Sequence, residues 1–524
     1  MDGNQKMVFT PSIYQENIFE FIRNGKGHAV IEATAGSGKT TTLMEALKFI
    51  PSSLKVIYIA FNNSIVDEIK SKKLKNVEVC TTHSLGRTVL IRSGFKVDLK
   101  NDKSYQIFSA IVKDYNLSRH MFSSLSSFTI KLVGFLKNNN MEASNENINH
   151  LMEHHDITLP EYVLDDALES LKKENPKLSD DEILSIHKAD IMMGESIDKS
   201  IVFSFVKNTL KKSFMNTKTI DYNDMIYLPV KHSKKMNYPK YDIILFDEAQ
   251  DANKTQMELV LNCLSENGRI IAMGDKFQSL YGFRGADVDS IPNFIARMDA
   301  TLLPLSITYR CPKNVVKLAQ TLVPHIEAAE NAIDGKVETI NYTAFSDYVQ
   351  SGDLVLCRNN APLIKPCFTL ISNGIKATIN GRDIGAELVK FIKEFKTTSN
   401  DDLGNLISDW LDEEEERYKA KNLNPNALID KCECIFTLIE MIESDSVNVL
   451  IKHIQNIFSE NNDVEVLLST VHRAKGLEAK NVFILYPHLM PSLYAKKDWE
   501  LQQEQNIRYV AYTRPLENLY FVEE

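Results

Sequence analysis

A chain of 524 residues is too long for one ordinary domain, and at roughly 150 residues per domain it suggests three or four. Hydrophobic residues at 44% and charged residues at 25% fit a soluble globular protein, and no run of ~18 apolar residues is available to span a membrane. The polar start Met1–Lys6 has no apolar signal core behind it, so a cytoplasmic protein is expected, and the net charge of −10 excludes a strongly basic shell without excluding a motor that needs only a local track of donors and aromatic faces.

In chain order, the first β-rich run is Ala29-Val30-Ile31. It leads into Ala33-Thr34-Ala35-Gly36-Ser37-Gly38-Lys39-Thr40, which precedes a helix ending before Pro51. This pattern is a P-loop. Backbone N–H groups of Ala35, Gly36, Ser37 and Gly38 close around phosphate oxygens, Lys39 reaches the β/γ-phosphates, and the Thr40 hydroxyl holds Mg²⁺. ATP and Mg²⁺ are therefore the expected ligands. The next run, Val56–Ile59, ends at Ala60-Phe61-Asn62. From about Gly86 to Thr217 the pattern becomes mostly helical and polar, which reads as an insertion. Within it His150 and His154 lie one helical turn apart, a spacing more in keeping with a polar surface than with a zinc pair lacking further ligands.

Ile243–Phe246 is followed by Asp247-Glu248-Ala249-Gln250-Asp251. A carboxylate at a strand end suits a Mg²⁺ ligand, here Asp247, and Glu248 can orient and deprotonate the attacking water. The apolar runs Ile270–Met273, Leu354–Leu356, Val466–Leu468, Val482–Leu485 and Leu519–Val522 complete the series, with a second helical stretch at about Asp383–Asn462. Continuous apolar strands of this kind point to parallel sheets covered on both faces, with ligands at their carboxyl ends. Cys432 and Cys434 read as reduced helix residues, since no second pair completes a zinc site, and the acidic run Asp412–Glu416 reads as a solvated helix face.

With these motifs in order the sequence resembles the superfamily 1A DNA helicases of the UvrD/Rep type, from Gln15 to Phe521. Pro11-Ser12-Ile13-Tyr14-Gln15 resembles the segment with the adenine-reading glutamine. Gly274–Ala286, containing Gln278, is similar to the coupling motif. Thr308-Tyr309-Arg310 resembles the motif that carries one arginine finger, and Thr470–Glu478 and Tyr509–Arg514 resemble the last two motifs. The resemblance implies an α/β fold of two RecA-like parallel-sheet domains, each with a mostly helical insertion. Residues 1–85 and 218–300 would form the first and 86–217 its insertion, with 301–382 and 464–524 the second and 383–463 its short insertion. It further implies that Lys39, Asp247, Glu248, Gln278, Arg310 and Arg514 are catalytic, the two arginines acting as fingers on the γ-phosphate. Tyr309 would stack on adenine and Glu478 would bind the ribose or the phosphate side. Single-stranded DNA would run over Phe61, Asn62, His83, Tyr281, Phe283, Arg284 and His472. Phe283 stands where the family often has tryptophan, and Ala33 replaces the usual first glycine of the P-loop. Asp221-Tyr222-Asn223-Asp224-Met225 also matches a family segment and is assigned a structural duty.

The activity so implied is an ATP-dependent single-stranded DNA translocase and 3′→5′ DNA helicase acting on single strands and junctions, with protein partners reached through the insertions. The short tail after the last strand makes partner contacts there unexpected. A DNA-sensing ATPase that switches a partner, or an RNA-directed helicase, would use the same motifs.

Overall fold

A computed structural model describes residues 9–72, 76–115, 117–160, 163–164, 197–280, 290–420, 424–458 and 465–524. Two six-stranded sheets dominate it, and every pairing within them is parallel. The first contains β1 (Ala29–Ala33), β2 (Val56–Ala60), β3 (Val77–Thr81), β4 (Tyr241–Phe246), β5 (Leu264–Gly274) and β6 (Thr301–Leu305), in spatial order β6-β1-β5-β4-β2-β3. The second contains β7 (Lys336–Asn341), β8 (Leu354–Cys357), β9 (Ala377–Ile379), β10 (Val466–Thr470), β11 (Ala479–Leu485) and β12 (Pro515–Glu523), in order β7-β12-β11-β8-β10-β9. The α/β class with two RecA-like sheets and helical insertions is thus observed.

Alternation along the strands builds a core on each face. Ala29, Ile31 and Ala33 of β1 join the helices Ile13–Asn24 and Lys39–Ala46 on one side of the first sheet, while Val30 joins Leu85, Val89, Leu259 and Val260 on the other. Both faces being dry, the chain must cross between strands by helices, and the strand ends carry the polar loops.

The first sheet extends past the expected boundary at residue 300. β6 pairs with β1 from Ala29↔Thr301 to Ala33↔Leu305. As an edge strand it is largely exposed, so it lacks the apolar run of a central strand. The first insertion has its own core, built by the helices Lys103–Ile111, Arg119–Asn138, Asn145–His154 and Lys199–Met215. Its roots are shared with the sheet domain. The helix Thr82–Arg92 gives Leu85 and Val89 to the sheet core and Leu90 to the insertion core. The second insertion differs. Its helices Arg382–Glu394, Asn400–Ala420, Asn426–Met441 and Val447–Ile457 share one core with Val355, Val466 and Phe483 of the second sheet. It is a covering layer of that sheet rather than a lobe apart. Cys432 and Cys434 are buried in that core as free thiols.

Candidate active site and nucleic-acid track

The carboxyl ends of the first sheet's strands converge on the second domain. Gly36 and Gly38 adopt φ of 70° and 77°, the left-handed region that glycine enters without strain. Gly38 also caps the helix Lys39–Ala46 without any side-chain hydrogen bond, leaving its first N–H groups directed at the loop's hollow. The Ser37 hydroxyl is buried with no partner among the described residues. An N-terminal helix end, an orphaned hydroxyl and a lysine together fit an anionic ligand.

Two loops of the second domain pack on this P-loop. A Cβ added to Gly36 would lie 2.5 Å from Arg310 Cβ and 2.6 Å from Thr308 Oγ1, so only glycine fits. Tyr309 N donates to Gly36 O at 2.9 Å, and Ala35 N donates to Tyr509 Oη at 2.9 Å. A cleft of about 540 Å³ lies between the domains. Lys39, Thr40, Glu248, Gln278, Tyr309, Arg310, Glu478 and Arg514 all border it.

Lys39 Nζ stands 2.9 Å from Glu248 Oε1. Burial alone would lower the lysine's pKa, but the carboxylates of Glu248, Asp275 and Asp247 reverse this and raise it. Glu248 is held in the left-handed region at φ 51°. Burial pushes its carboxyl up, and Lys39 and Lys475 more than offset that, keeping it below the ordinary range. Asp247 accepts from Tyr58 Oη at 2.7 Å and from Glu248 N at 2.9 Å, and burial beside Glu248 raises its pKa. Burial and the neighbouring charges thus shift the two carboxyls in opposite directions, Asp247 up and Glu248 down.

Thr40 and Asp247 offer hard oxygen donors, the chemistry Mg²⁺ prefers. Among the described residues no group of three or more His, Cys, Asp or Glu side chains could hold a metal alone, so the ion would depend on phosphate oxygens. His150 and His154 lie one turn apart on the helix Asn145–His154. Their rings lie 6.0 Å apart, and His154 stacks on Trp499 of the second domain at 5.1 Å.

The other candidate residues have settings of their own. Gln15 is buried; its Oε1 accepts from Ser12 N and its Nε2 donates to Thr42 Oγ1, both at 2.9 Å, so its amide is engaged behind the P-loop helix. Arg514 borders the cleft but is 1% exposed, and its guanidinium donates to Val510 O, Leu477 O and Thr513 Oγ1 of its own domain. Burial and the neighbouring charge of Arg310 lower its pKa to about 10. Phe61, 46% exposed, and Asn62 border the nucleotide cleft rather than a separate groove, and Asn62 caps the helix Asn63–Ser71 by accepting from Ile65 N at 3.0 Å. His83 is the second residue of the helix Thr82–Arg92 after β3, and His472 is half-buried in the turn after β10. Tyr281, Phe283 and Arg284 lie outside the described residues.

Lys475 and Asp251 received no role from the sequence, although both lie inside quoted motifs. Lys475 crosses from the second domain to pair with Asp251 and donates to Gln278 O at 2.8 Å. Gln278 in turn donates to Asp275 Oδ2 at 2.7 Å. The coupling segment is therefore tied to both domains. Neighbouring Asn506 adds a hydrogen bond to Ser279 O at 3.0 Å.

A family model described as the UvrD/REP helicase N-terminal domain matches residues 15–299. The chain is 24% identical over 309 residues to F-box DNA helicase protein 1 of Schizosaccharomyces pombe, covering 56% of this chain and 30% of that one. It is 26% identical over 342 residues to the RecBCD enzyme subunit RecB of Borreliella burgdorferi, covering 58% and 28%. It is 22% identical over 332 residues to the ATP-dependent DNA helicase PcrA of Staphylococcus epidermidis, covering 58% and 39%. The alignments thus span 28% to 39% of the lengths of these relatives. No helix among the described residues is long and apolar enough to cross a membrane. The family match runs from Gln15 through the P-loop and the Asp247–Glu248 pair to the segment beyond Gln278, more than half of the chain, and the protein belongs to the UvrD/REP helicase family.

Proposed function

We infer that the protein is an ATP-hydrolysing motor that moves 3′→5′ on single-stranded DNA and opens junctions. The observation that carries this reading is the direct packing of the P-loop at Gly36 on the Thr308–Arg310 loop of the other domain. A nucleotide between them is sensed by both sheets at once, so cleavage and domain motion are linked. Lys39 exchanges Glu248 for the β/γ-phosphates. Glu248, released but still ionised, takes the proton of the attacking water as oxygen bonds to the γ-phosphorus and the β–γ bridge breaks. Arg310 meets the charge that develops on the γ-phosphoryl oxygens, and Arg514 reinforces it from its buried seat. Tyr309 stacks on the base, and Glu478 turns to the ribose. Thr40 and Asp247 would hold Mg²⁺, which would supply charge neutralisation at the phosphates. Residues 1–85 and 218–305 serve as the nucleotide domain and the insertions as candidate partner surfaces.

ATPase assays with single-stranded DNA and RNA oligonucleotides test the substrate class. Arrival signals from DNA labelled at either end test the direction. DNA-stimulated hydrolysis with arrival at the 5′ end is expected. Stimulation by RNA alone, or arrival at the 3′ end, would refute the reading. Hydrolysis and translocation without displacement of a 3′-tailed duplex would retain the motor and remove the helicase.

A further inference from the structure

We propose that Tyr58, buried in β2 of the first sheet, is a positioning residue that holds the Asp247 carboxylate in place for the divalent ion of the nucleotide. The inference rests on the ATP-hydrolysing reading above and adds to it a residue first read only as part of an apolar strand.

β2 is an interior strand, and every residue from Val56 to Ala60 is buried. Val56, Ile57, Ile59 and Ala60 need only pack. Tyr58 carries a hydroxyl into the same interior and is fully covered there. A buried hydroxyl needs a hydrogen-bond partner, and packing alone would be served as well by phenylalanine. The partner is Asp247, whose Oδ2 accepts from Tyr58 Oη at 2.7 Å.

The strand register builds this reach. Tyr58 stands opposite Leu245 on β4. Asp247 N donates to Ile59 O at 3.0 Å, which continues the ladder one residue past that strand. Side chains alternate along a strand, so Asp247, two residues beyond Leu245, lies on the face that carries Leu245 and Tyr58. A tyrosine spans the diagonal between the strands, and a shorter side chain would fall short of it.

Both oxygens of Asp247 are thereby engaged, Oδ2 by Tyr58 and Oδ1 by Glu248 N at 2.9 Å. Two donors fix the rotation of the carboxylate, and each oxygen keeps lone-pair capacity for an ion. Asp247 is itself buried, so bulk solvent does not supply the second donor. Mg²⁺ demands a near-ideal octahedron of oxygens at short range, whereas Ca²⁺ tolerates more ligands at variable distance. A carboxylate held at both oxygens suits the first ion, and one free to turn can follow the second. Tyr58 thus contributes to Mg²⁺ affinity and to discrimination against Ca²⁺.

The test measures ion binding without turnover. Electron paramagnetic resonance of Mn²⁺, titrated into the full chain with an equimolar non-hydrolysable ATP analogue, gives the affinity of the ion, and competition by Mg²⁺ and Ca²⁺ gives theirs. The parent is compared with Tyr58→Phe, Asp247→Asn and the double variant, and binding of a fluorescent form of the analogue in EDTA is measured for each. Phenylalanine keeps the ring and removes only the hydroxyl. Tyr58→Phe should bind the analogue in EDTA like the parent, lose about 10- to 100-fold in Mg²⁺ affinity, and lose less for Ca²⁺. In the Asp247→Asn background the same change should cost nothing further, because Tyr58 acts through that carboxylate. A tyrosine that only fills the core would weaken binding in EDTA as well, and its loss would add to that of Asp247→Asn. Either of those results, or parent-like Mg²⁺ affinity in Tyr58→Phe, would overturn the positioning role alone. Failure of the parent to hold the ion and the analogue together would overturn the ATP-hydrolysing reading and this role with it.

Discussion

Arg310 pairs with Glu478: its Nε and its Nη2 each lie 2.7 Å from the same carboxylate oxygen. Both side chains reach solvent, at 20% and 47% exposure, so the pair adds little stability and is readily exchanged. A γ-phosphate in the cleft would offer more negative charge than one carboxylate. Arg310→Ala should therefore cut kcat about 10³-fold, equivalent to ~4 kcal/mol of barrier, while the unfolding midpoint stays near that of the parent. Single-turnover hydrolysis and a thermal melt check both halves. A parent-like rate would remove Arg310 from the reaction.

Arg514 should respond differently. Its removal takes the guanidinium donor from Leu477 O, a loss of about 1–3 kcal/mol if that carbonyl is left unpaired, whereas Val510 O keeps Thr513 N and Oγ1 as donors. Arg514→Ala is expected to lower both the melting midpoint and kcat. Arg514→Lys should recover neither in full, because one ammonium cannot reproduce a fork of donors. A variant with unchanged stability would contradict the bonding seen here.

The Lys39–Glu248 pair predicts a division of labour. Lys39→Ala should abolish hydrolysis and weaken binding of a fluorescent ATP analogue. Glu248→Gln should keep that binding and lower turnover by about 10²- to 10⁴-fold, since the amide has the shape but not the basicity. Loss of analogue binding in Glu248→Gln would instead assign the carboxylate to the metal or to folding.

What the sequence disclosed of the fold follows strand position. Runs such as Val56–Ile59 and Val482–Leu485 belong to central strands, dry on both faces, and their uninterrupted apolar character is visible in one dimension. Val77–Thr81, Thr301–Leu305, Lys336–Asn341 and Ala377–Ile379 are the four sheet edges and were not apparent. Lys336, Glu338 and Asn341 face solvent, and Pro304 sits where no central ladder would tolerate it. In the site, local motifs marked Lys39 and Glu248, whereas partnerships across the cleft were hidden. Lys475 meets Asp251 from 224 positions away, and Tyr509 meets Ala35 from 474. Arg514 kept its motif position but not the free guanidinium expected of it, because a motif does not report which carbonyls surround a side chain.

Lys103 and Lys137 balance Asp221 and Asp224 in a nearly dry interior. Removing one carboxylate leaves an uncompensated buried charge, and Asp224→Asn should destabilise the first insertion by about 3–5 kcal/mol. Because a chain of several lobes need not unfold in one step, the measurement is local. Amide exchange or limited proteolysis within 103–228 should accelerate while the second sheet remains protected. Uniform protection in the variant would show that the network contributes no stability.

His155 supplies a pH-dependent term that can be isolated. Its ring stacks on Phe135 with centroids 3.9 Å apart and planes within 7°, and its Nδ1 is buried without a partner among the described residues. Burial, reinforced by His154, Lys131, His150 and Lys497, lowers its pKa to about 3. In the unfolded chain the same group titrates near ~6.5. Above that pH both states are neutral and the stack contributes fully. As the pH falls through the unfolded value the unfolded chain binds a proton that the native state refuses, so stability declines from about 6.5 toward 3. His155→Phe keeps a flat ring against Phe135 and removes the titration. The variant should therefore lose less of its melting midpoint than the parent between pH 7 and pH 5. His83, with a pKa lowered to about 4, has the same sign but is present in both proteins and drops out of the difference. Parallel melting curves across that window would mean that His155 is protonated in the folded protein, contrary to its burial against Phe135.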